Sequence, residues 1–221
     1  MQLHYRIHWY LLKPLIQSYF RLQTWGCENI PQTGPVLLAA NHSSYLDPPL
    51  IALAIPRQIT FLAKEELFRI PLFGRYIRWV GTHPVSRGQG DVKAMRSALK
   101  LLGENKALLV FPEGTRSFDG ELQPLENGVS WLSLKTGAPL IPVYVAGANQ
   151  AMPRKALFPR PARVTILIGK PLDPLQYSRE GLGREVVQHL TSDLNFHLHE
   201  LQNQALMVTQ EKNPALSLKR K

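Results

Sequence analysis

Between residues 36 and 206 the sequence alternates short apolar runs of strand length with helix-patterned segments, and this alternation restricts the fold more than any other feature. The runs at 36–40, 59–63, 107–111, 140–145 and 164–168 are dominated by Val, Leu, Ile, Ala and Phe. Between them, 48–55, 72–80, 91–104, 127–135 and 185–206 carry helical patterns. Asp91 stands at the start of one, with Val92, Met95, Leu99 and Leu102 on a single face, and Gly137 closes another. A shorter strand is expected at 82–85, before a Gly88-Gln89-Gly90 turn. Runs that are apolar throughout suit strands covered on both faces. Strands alternating with helices predict an α/β fold, a mostly parallel central sheet flanked by helices.

In such a sheet the functional loops leave the carboxyl ends of the strands. Asn41-His42-Ser43-Ser44-Tyr45-Leu46-Asp47 follows directly on the run 36–40. A carboxylate at Asp47 can turn back onto a ring N–H of His42, which fixes the tautomer and leaves the other nitrogen as a general base. The same spacing equally suits a histidine closing a strand and an aspartate capping the next helix. Phe111-Pro112-Glu113-Gly114-Thr115-Arg116-Ser117 follows the run 107–111 in the same way. Glycine lets backbone approach a ligand, and a guanidinium grips a phosphate through two parallel bonds, so this loop reads as an anion-binding corner. A tight turn with an internal Glu–Arg pair is the alternative.

Charge adds a second constraint. Lys and Arg number 26 against 16 Asp and Glu, a formal charge of +10, which points to an anionic partner. The segment before Glu28 has no acid and sets Arg6, Lys13 and Arg21 among Trp9, Tyr10, Tyr19, Phe20 and Trp25. That is the composition of a membrane-interface helix rather than of a nucleic-acid-binding arm. Tyr5, Trp9, Leu12, Ile16 and Tyr19 fall on one helical face, and Pro14 is expected to split the segment into two short helices. A helix docked on its own domain is the alternative. No stretch is apolar and long enough to span a bilayer. A single cysteine, Cys27, rules out an internal disulfide. The histidine pairs His4/His8 and His197/His199 have no clear third ligand beside them, so no metal site is expected.

Together, Asn-His-x-x-x-x-Asp and, about 70 residues later, Glu-Gly-Thr-Arg resemble the glycerolipid acyltransferases, most closely the PlsC-type 1-acyl-sn-glycerol-3-phosphate acyltransferases. The likeness runs from about Trp25 to Lys170. It includes Gly81 to Arg87 as a second block, Pro139-Leu140-Ile141-Pro142-Val143 as a fourth, and Gly26-Cys27-Glu28-Asn29-Ile30-Pro31 as the lead-in. The resemblance implies a glycerolipid-acyltransferase-like sandwich that moves a fatty acyl group from a thioester, on acyl carrier protein or coenzyme A, to a lysophospholipid acceptor. It implies His42 and Asp47 as the catalytic pair. Glu113, Gly114 and Thr115 would hold the acceptor, and Arg87 and Arg116 its phosphate. Neither a cofactor nor nucleic acid is expected, and an anionic membrane surface at the cytoplasmic face is. The alternatives are another acceptor, such as glycerol-3-phosphate or a different lysolipid, or a lipid-binding protein without catalysis. The expected organisation is N-terminal amphipathic interface helices over 1–24, an acyltransferase domain over 25–210 and a basic, flexible tail over 211–221.

Overall fold

The computed structural model describes residues 3–79, 81–85, 90–177 and 183–211. Among them are seven strands: β1 (Gln23–Trp25), β2 (Val36–Ala40), β3 (Ile59–Lys64), β4 (Thr82–Val85), β5 (Ala107–Val110), β6 (Leu140–Ala146) and β7 (Thr165–Ile168). They form one sheet in the order β1-β7-β6-β2-β5-β3-β4. Every neighbouring pair is parallel except β6 with β7. The helices are α1 (Leu3–Tyr19), α2 (Asp47–Ala54), α3 (Phe73–Trp79), α4 (Gly90–Gly103), α5 (Gly128–Thr136), α6 (Ala148–Ala151) and α7 (Arg184–Glu211). The architecture is the expected α/β one.

β2 shows why an unbroken apolar run becomes a central strand. All five of its residues are fully buried. Val36, Leu38 and Ala40 pack to one face with Leu50, Ile51 and Ile55 of the α2 region and Phe20 beyond α1. Leu37 and Ala39 pack to the other with Leu102 of α4, Leu132 of α5 and Leu190 and Leu194 of α7. The period of two thus feeds two separate cores, one on each side of the sheet.

β2 also lies between β5 and β6, parallel to both. Ala39 is level with Val110, and Ala40 with Val143. The loops that leave the carboxyl ends of these three strands therefore start side by side at one sheet edge.

The N-terminal segment departs from expectation. α1 is one helix with Pro14 inside it, not two short ones. Proline removes the N–H that would bond the Tyr10 carbonyl, and docking of the helix offsets this, with Ile16 packing on the core and buried Phe20 following it. The helix ends in a reverse turn in which Arg21, at φ 44°, is left-handed and the Leu22 N–H reaches the Gln17 carbonyl at 2.9 Å. Trp9, Leu12 and Ile16 face the domain half-buried, whereas Tyr10, Leu11, Leu15 and Tyr19 are exposed. Lys13 is drawn inward too. Its Nζ lies 3.9 Å from the centre of the Trp9 ring, and burial lowers its pKa. So α1 uses one apolar face for docking and leaves a second in the open.

Residues 23–24, expected with the interface helices, belong to the sheet through β1. Gly26 then turns away from β1 at φ 82°, where any Cβ would stand 2.0 Å from the Ile168 carbonyl oxygen. Of the expected tail, Glu211 closes α7 and the rest lies outside the described residues, as do Arg87 and the Gly88 turn.

Candidate active site

The loop after β2 is wrapped around one carboxylate. Asp47 is fully buried, and its Oδ2 accepts the Ser43 and Ser44 amides at 2.7 Å each. The same oxygen lies 2.9 Å from His42 Nδ1. An oxygen that already accepts two amide hydrogens is an acceptor for the ring as well, so Nδ1 carries the hydrogen and Nε2 keeps its lone pair. Although Asp47 opens α2, its carboxylate makes no cap to that helix and turns back on the loop. That is the geometry expected of an orienting partner. The Pro48-Pro49 pair that follows fixes the first turn of α2 and with it the position of Asp47.

Three tethers, two from the loop after β5 and one from β6, hold the His42 segment. Its N–H donates to Glu113 Oε1 at 2.9 Å, and its carbonyl accepts the Ser117 N–H at 2.8 Å. Asn41, immediately before it, pairs with Val145 of β6: the Val145 N–H donates to Asn41 Oδ1 at 2.7 Å, and Asn41 Nδ2 donates to the Val145 carbonyl at 3.1 Å. Below, the imidazole stacks on Phe111 with centroids 3.9 Å apart and planes 18° from parallel. The His42 side chain keeps 17% exposure.

The second loop serves the first. Glu113 is buried, and burial pushes its pKa up to about 7, against the lowering effect of hydrogen bonds from the His42 and Gln123 amides. Its Oε2 is buried with no partner. Glu113 therefore bonds the histidine loop and not Arg116, unlike the internal pair that its spacing also allowed. Gly114 sits at φ 67°, where a Cβ would meet Glu126 Oε1 at 2.7 Å. Thr115 is exposed. The Arg116 guanidinium lies over the Tyr45 ring at 3.5 Å, and its Nη1 is buried without a hydrogen-bond partner. A guanidinium with a dry, unpaired N–H is matched to an incoming anion. The amides of His42, Ser43, Ser44, Gly114 and Ser117 are all engaged within the two loops.

Beside the pair lies an apolar cavity of about 540 Å³. Phe111 and Tyr45 form its wall next to His42 and Arg116. Leu46, Leu53, Phe61 and Ile77 continue it between α2, β3 and α3, and Trp9 of α1 contributes to its lining. The volume falls in the range of roughly 300–1,000 Å³ typical of small-molecule sites. An apolar slot that meets an imidazole and an unpaired guanidinium suits a molecule with a hydrocarbon part and an anionic head.

The sequence brought His42, Asp47, Glu113, Gly114, Thr115 and Arg116 into view, and the structure gathers these two loops into one cleft. It missed the positions of Asn41, Tyr45 and Phe111 in the site. Asn41 opens the Asn-His-x-x-x-x-Asp motif, but nothing in the sequence points to Val145 as its partner. Phe111 opens the second motif, but as the end of an apolar run it reads as core and not as a platform for the His42 ring.

Comparison with known proteins places the chain in a family. A family model described as Acyltransferase matches residues 21–146. A 1-acyl-sn-glycerol-3-phosphate acyltransferase of Bacillus subtilis is 28% identical over 87% of this chain and 94% of its own length. A chloroplastic 1-acyl-sn-glycerol-3-phosphate acyltransferase of Brassica napus is 30% identical over 62% of this chain, a match that spans 41% of that longer protein. Among solved structures, the 1-acyl-sn-glycerophosphate (LPA) acyltransferase PlsC of Thermotoga maritima superposes with a TM-score of 0.69. It is 29% identical, over 88% of this chain and 81% of that one.

Proposed function

The chain belongs to the acyltransferase family, and on that premise we propose that it moves a fatty acyl group from a thioester to the free sn-2 hydroxyl of 1-acyl-sn-glycerol-3-phosphate, giving phosphatidic acid. The observation that carries this reading is the His42–Asp47 pair set between an apolar cavity and the unpaired Arg116 N–H.

In the reaction, His42 Nε2 takes the proton of the acceptor hydroxyl as its oxygen attacks the thioester carbonyl. Asp47 keeps the hydrogen on Nδ1 and stabilises the imidazolium that forms. Collapse of the tetrahedral adduct breaks the C–S bond, and the imidazolium returns its proton to the departing thiolate. Base catalysis of this kind is worth roughly 10²–10⁴-fold, and alignment of the two substrates about 7–11 kcal/mol. Glu113, Gly114 and Thr115 line the acceptor side, and Arg116 binds its phosphate, with Arg87 expected to join it. The cavity takes the hydrocarbon chain. The thioester arrives on coenzyme A or on acyl carrier protein.

The substrate is a bilayer lipid, and α1 is the segment suited to meet it. Its exposed Tyr10, Leu11 and Leu15 leave an apolar face open, with Arg6 and Arg21 exposed at its two ends. Among the described residues no helix is long and apolar enough to cross a membrane.

The test is turnover of lysophosphatidic acid by purified protein with each thioester donor, alongside glycerol-3-phosphate and a phosphate-free monoacylglycerol. Phosphatidic acid formed from lysophosphatidic acid, with little product from the other two, is expected. Equal use of the phosphate-free acceptor would overturn the reading.

A further inference from the structure

The segment between α6 and β7 is built as a closed, projecting loop. The Arg160 N–H donates to the Ala151 carbonyl and Arg160 Nε to the Gln150 carbonyl, each at 2.8 Å, which ties the two ends of residues 151–160 together. Inside, the Ala156 N–H reaches the Pro153 carbonyl at 2.9 Å. Pro153, Pro159 and Pro161 restrict the backbone further. The tip of this loop is Leu157 and Phe158, 86% and 80% exposed. Such a pair, held out into water, contributes nothing to the core. An exposed apolar patch rimmed by charge marks a surface that meets an apolar partner. The rim here is Arg154, Lys155 and Arg160, all exposed, in a stretch with no Asp or Glu from 127 to 172.

A hydrogen bond joins this loop to α1. Tyr19 Oη donates to the Pro159 carbonyl at 3.1 Å. Tyr19 is also the last member of an exposed row, Leu11, Leu15 and Tyr19, spaced by four and therefore on one helix face. The apolar row of the helix leads into the apolar tip of the loop.

We propose that residues 153–160 are a second point of attachment to an anionic bilayer: Leu157 and Phe158 enter the interface while Arg154, Lys155 and Arg160 meet the head groups. This rests on the reading of α1 as lying on the same surface. The apolar pair supplies attraction that salt does not screen, and the cations supply attraction that it does. An acidic carrier protein would also be drawn to the cations, but it gives no reason for the tip to continue the row on α1. The root of the loop touches the active site, because Arg154 Nη1 donates to the Arg116 carbonyl at 3.2 Å and Ser44 Oγ to the Met152 carbonyl at 3.0 Å. Two attachment points would thus set the bilayer plane relative to Arg116, where the acceptor phosphate binds.

The experiment sediments the full-length protein with vesicles of mixed phosphatidylglycerol and phosphatidylcholine, and with pure phosphatidylcholine, at low and high salt. Wild type is compared with Leu157→Ser/Phe158→Ser and with Leu11→Ser/Leu15→Ser, each shown folded by circular dichroism. The loop variant is expected to partition about 10- to 100-fold more weakly, with unchanged turnover of a short-chain, water-soluble acceptor. Lys155→Glu should weaken binding at low salt and not at high salt. Wild-type binding by the loop variant with impaired binding by the α1 variant overturns the second attachment and leaves the α1 reading standing. Wild-type binding by both overturns both. Unchanged vesicle binding with a raised KM for a carrier-protein thioester would assign the loop to the carrier protein instead.

Discussion

Asn41 and Val145, 104 positions apart in the chain, are joined by both ends of one side-chain amide, which accepts the Val145 N–H and donates to the Val145 carbonyl. The amide continues the β2–β6 ladder one step beyond the point where the β2 backbone turns away. That turn is what frees His42 to enter the cleft. Asn41→Ala should leave two buried backbone groups of β6 without partners, at about 1–3 kcal/mol for each such group. Urea unfolding should show the loss, and the remaining folded protein should have a lowered kcat. Unchanged stability would mean that water takes over both bonds.

His42→Ala should abolish acyl transfer while the far-ultraviolet circular dichroism stays that of wild type. Asp47→Asn should retain a small residue of activity, because the imidazole survives with its tautomer and its positive charge no longer supported. A fall of about 10⁴-fold in kcat is the expected scale. Near-normal turnover by folded His42→Ala protein sinks the mechanism.

Glu113 makes stability depend on pH in a defined direction. Its pKa rises from the ordinary 4.5 to about 7 in the folded protein. Between those values the folded state holds a proton that the unfolded state has lost, so this group's contribution to stability falls as pH increases through the window. Glu113→Gln keeps an oxygen for the His42 N–H and removes the titration. The variant should therefore gain stability relative to wild type from pH 4.5 to 7, read as the difference in urea midpoints. A difference independent of pH over that range would show that the carboxyl is not held protonated.

Arg116→Ala should act mainly on KM for a phosphorylated acceptor. Loss of a charge-assisted hydrogen bond costs about 1.5–3 kcal/mol, or roughly 10–150-fold. Lysine should restore only part of this, since a point charge replaces neither the fork nor the stacking on Tyr45. Equal weakening of phosphate-bearing and phosphate-free acceptors would show that Arg116 does not read the phosphate.

How far the sequence could be read depended on how local each feature was. The central strands were legible because burial on both faces leaves no room for polar residues, as β2 shows. β1 was not: Gln23-Thr24-Trp25 is only partly buried, and it is a strand because it pairs with β7. Pro14 predicts a break by a rule that holds for an isolated helix. Packing of Ile16 and Phe20 against the core overrides it. The His42–Asp47 relation spans one loop, so its residue types and spacing offer it beside the capping alternative, and the Asp47 contacts decide for the pair. The partners of Asn41, Glu113 and Phe111 lie about 70 to 100 residues away in the chain, and no local pattern reveals them. By sequence Arg116 suits a free anion binder or half of a pair with Glu113, and only the hydrogen bond from the His42 amide to Glu113 decides between them.

Because β2 pairs with β5 and β6 on its two sides, its neighbours come from segments about 70 and 100 residues downstream. During folding, the histidine loop has only its internal bonds to Asp47 until both long chain closures have been made. Contacts of such sequence separation form slowly. Regain of turnover after dilution from denaturant should therefore lag behind the return of helical signal. A nascent chain should also stay inactive on the ribosome until β6 has emerged, although His42 and Asp47 were synthesised about 100 residues earlier.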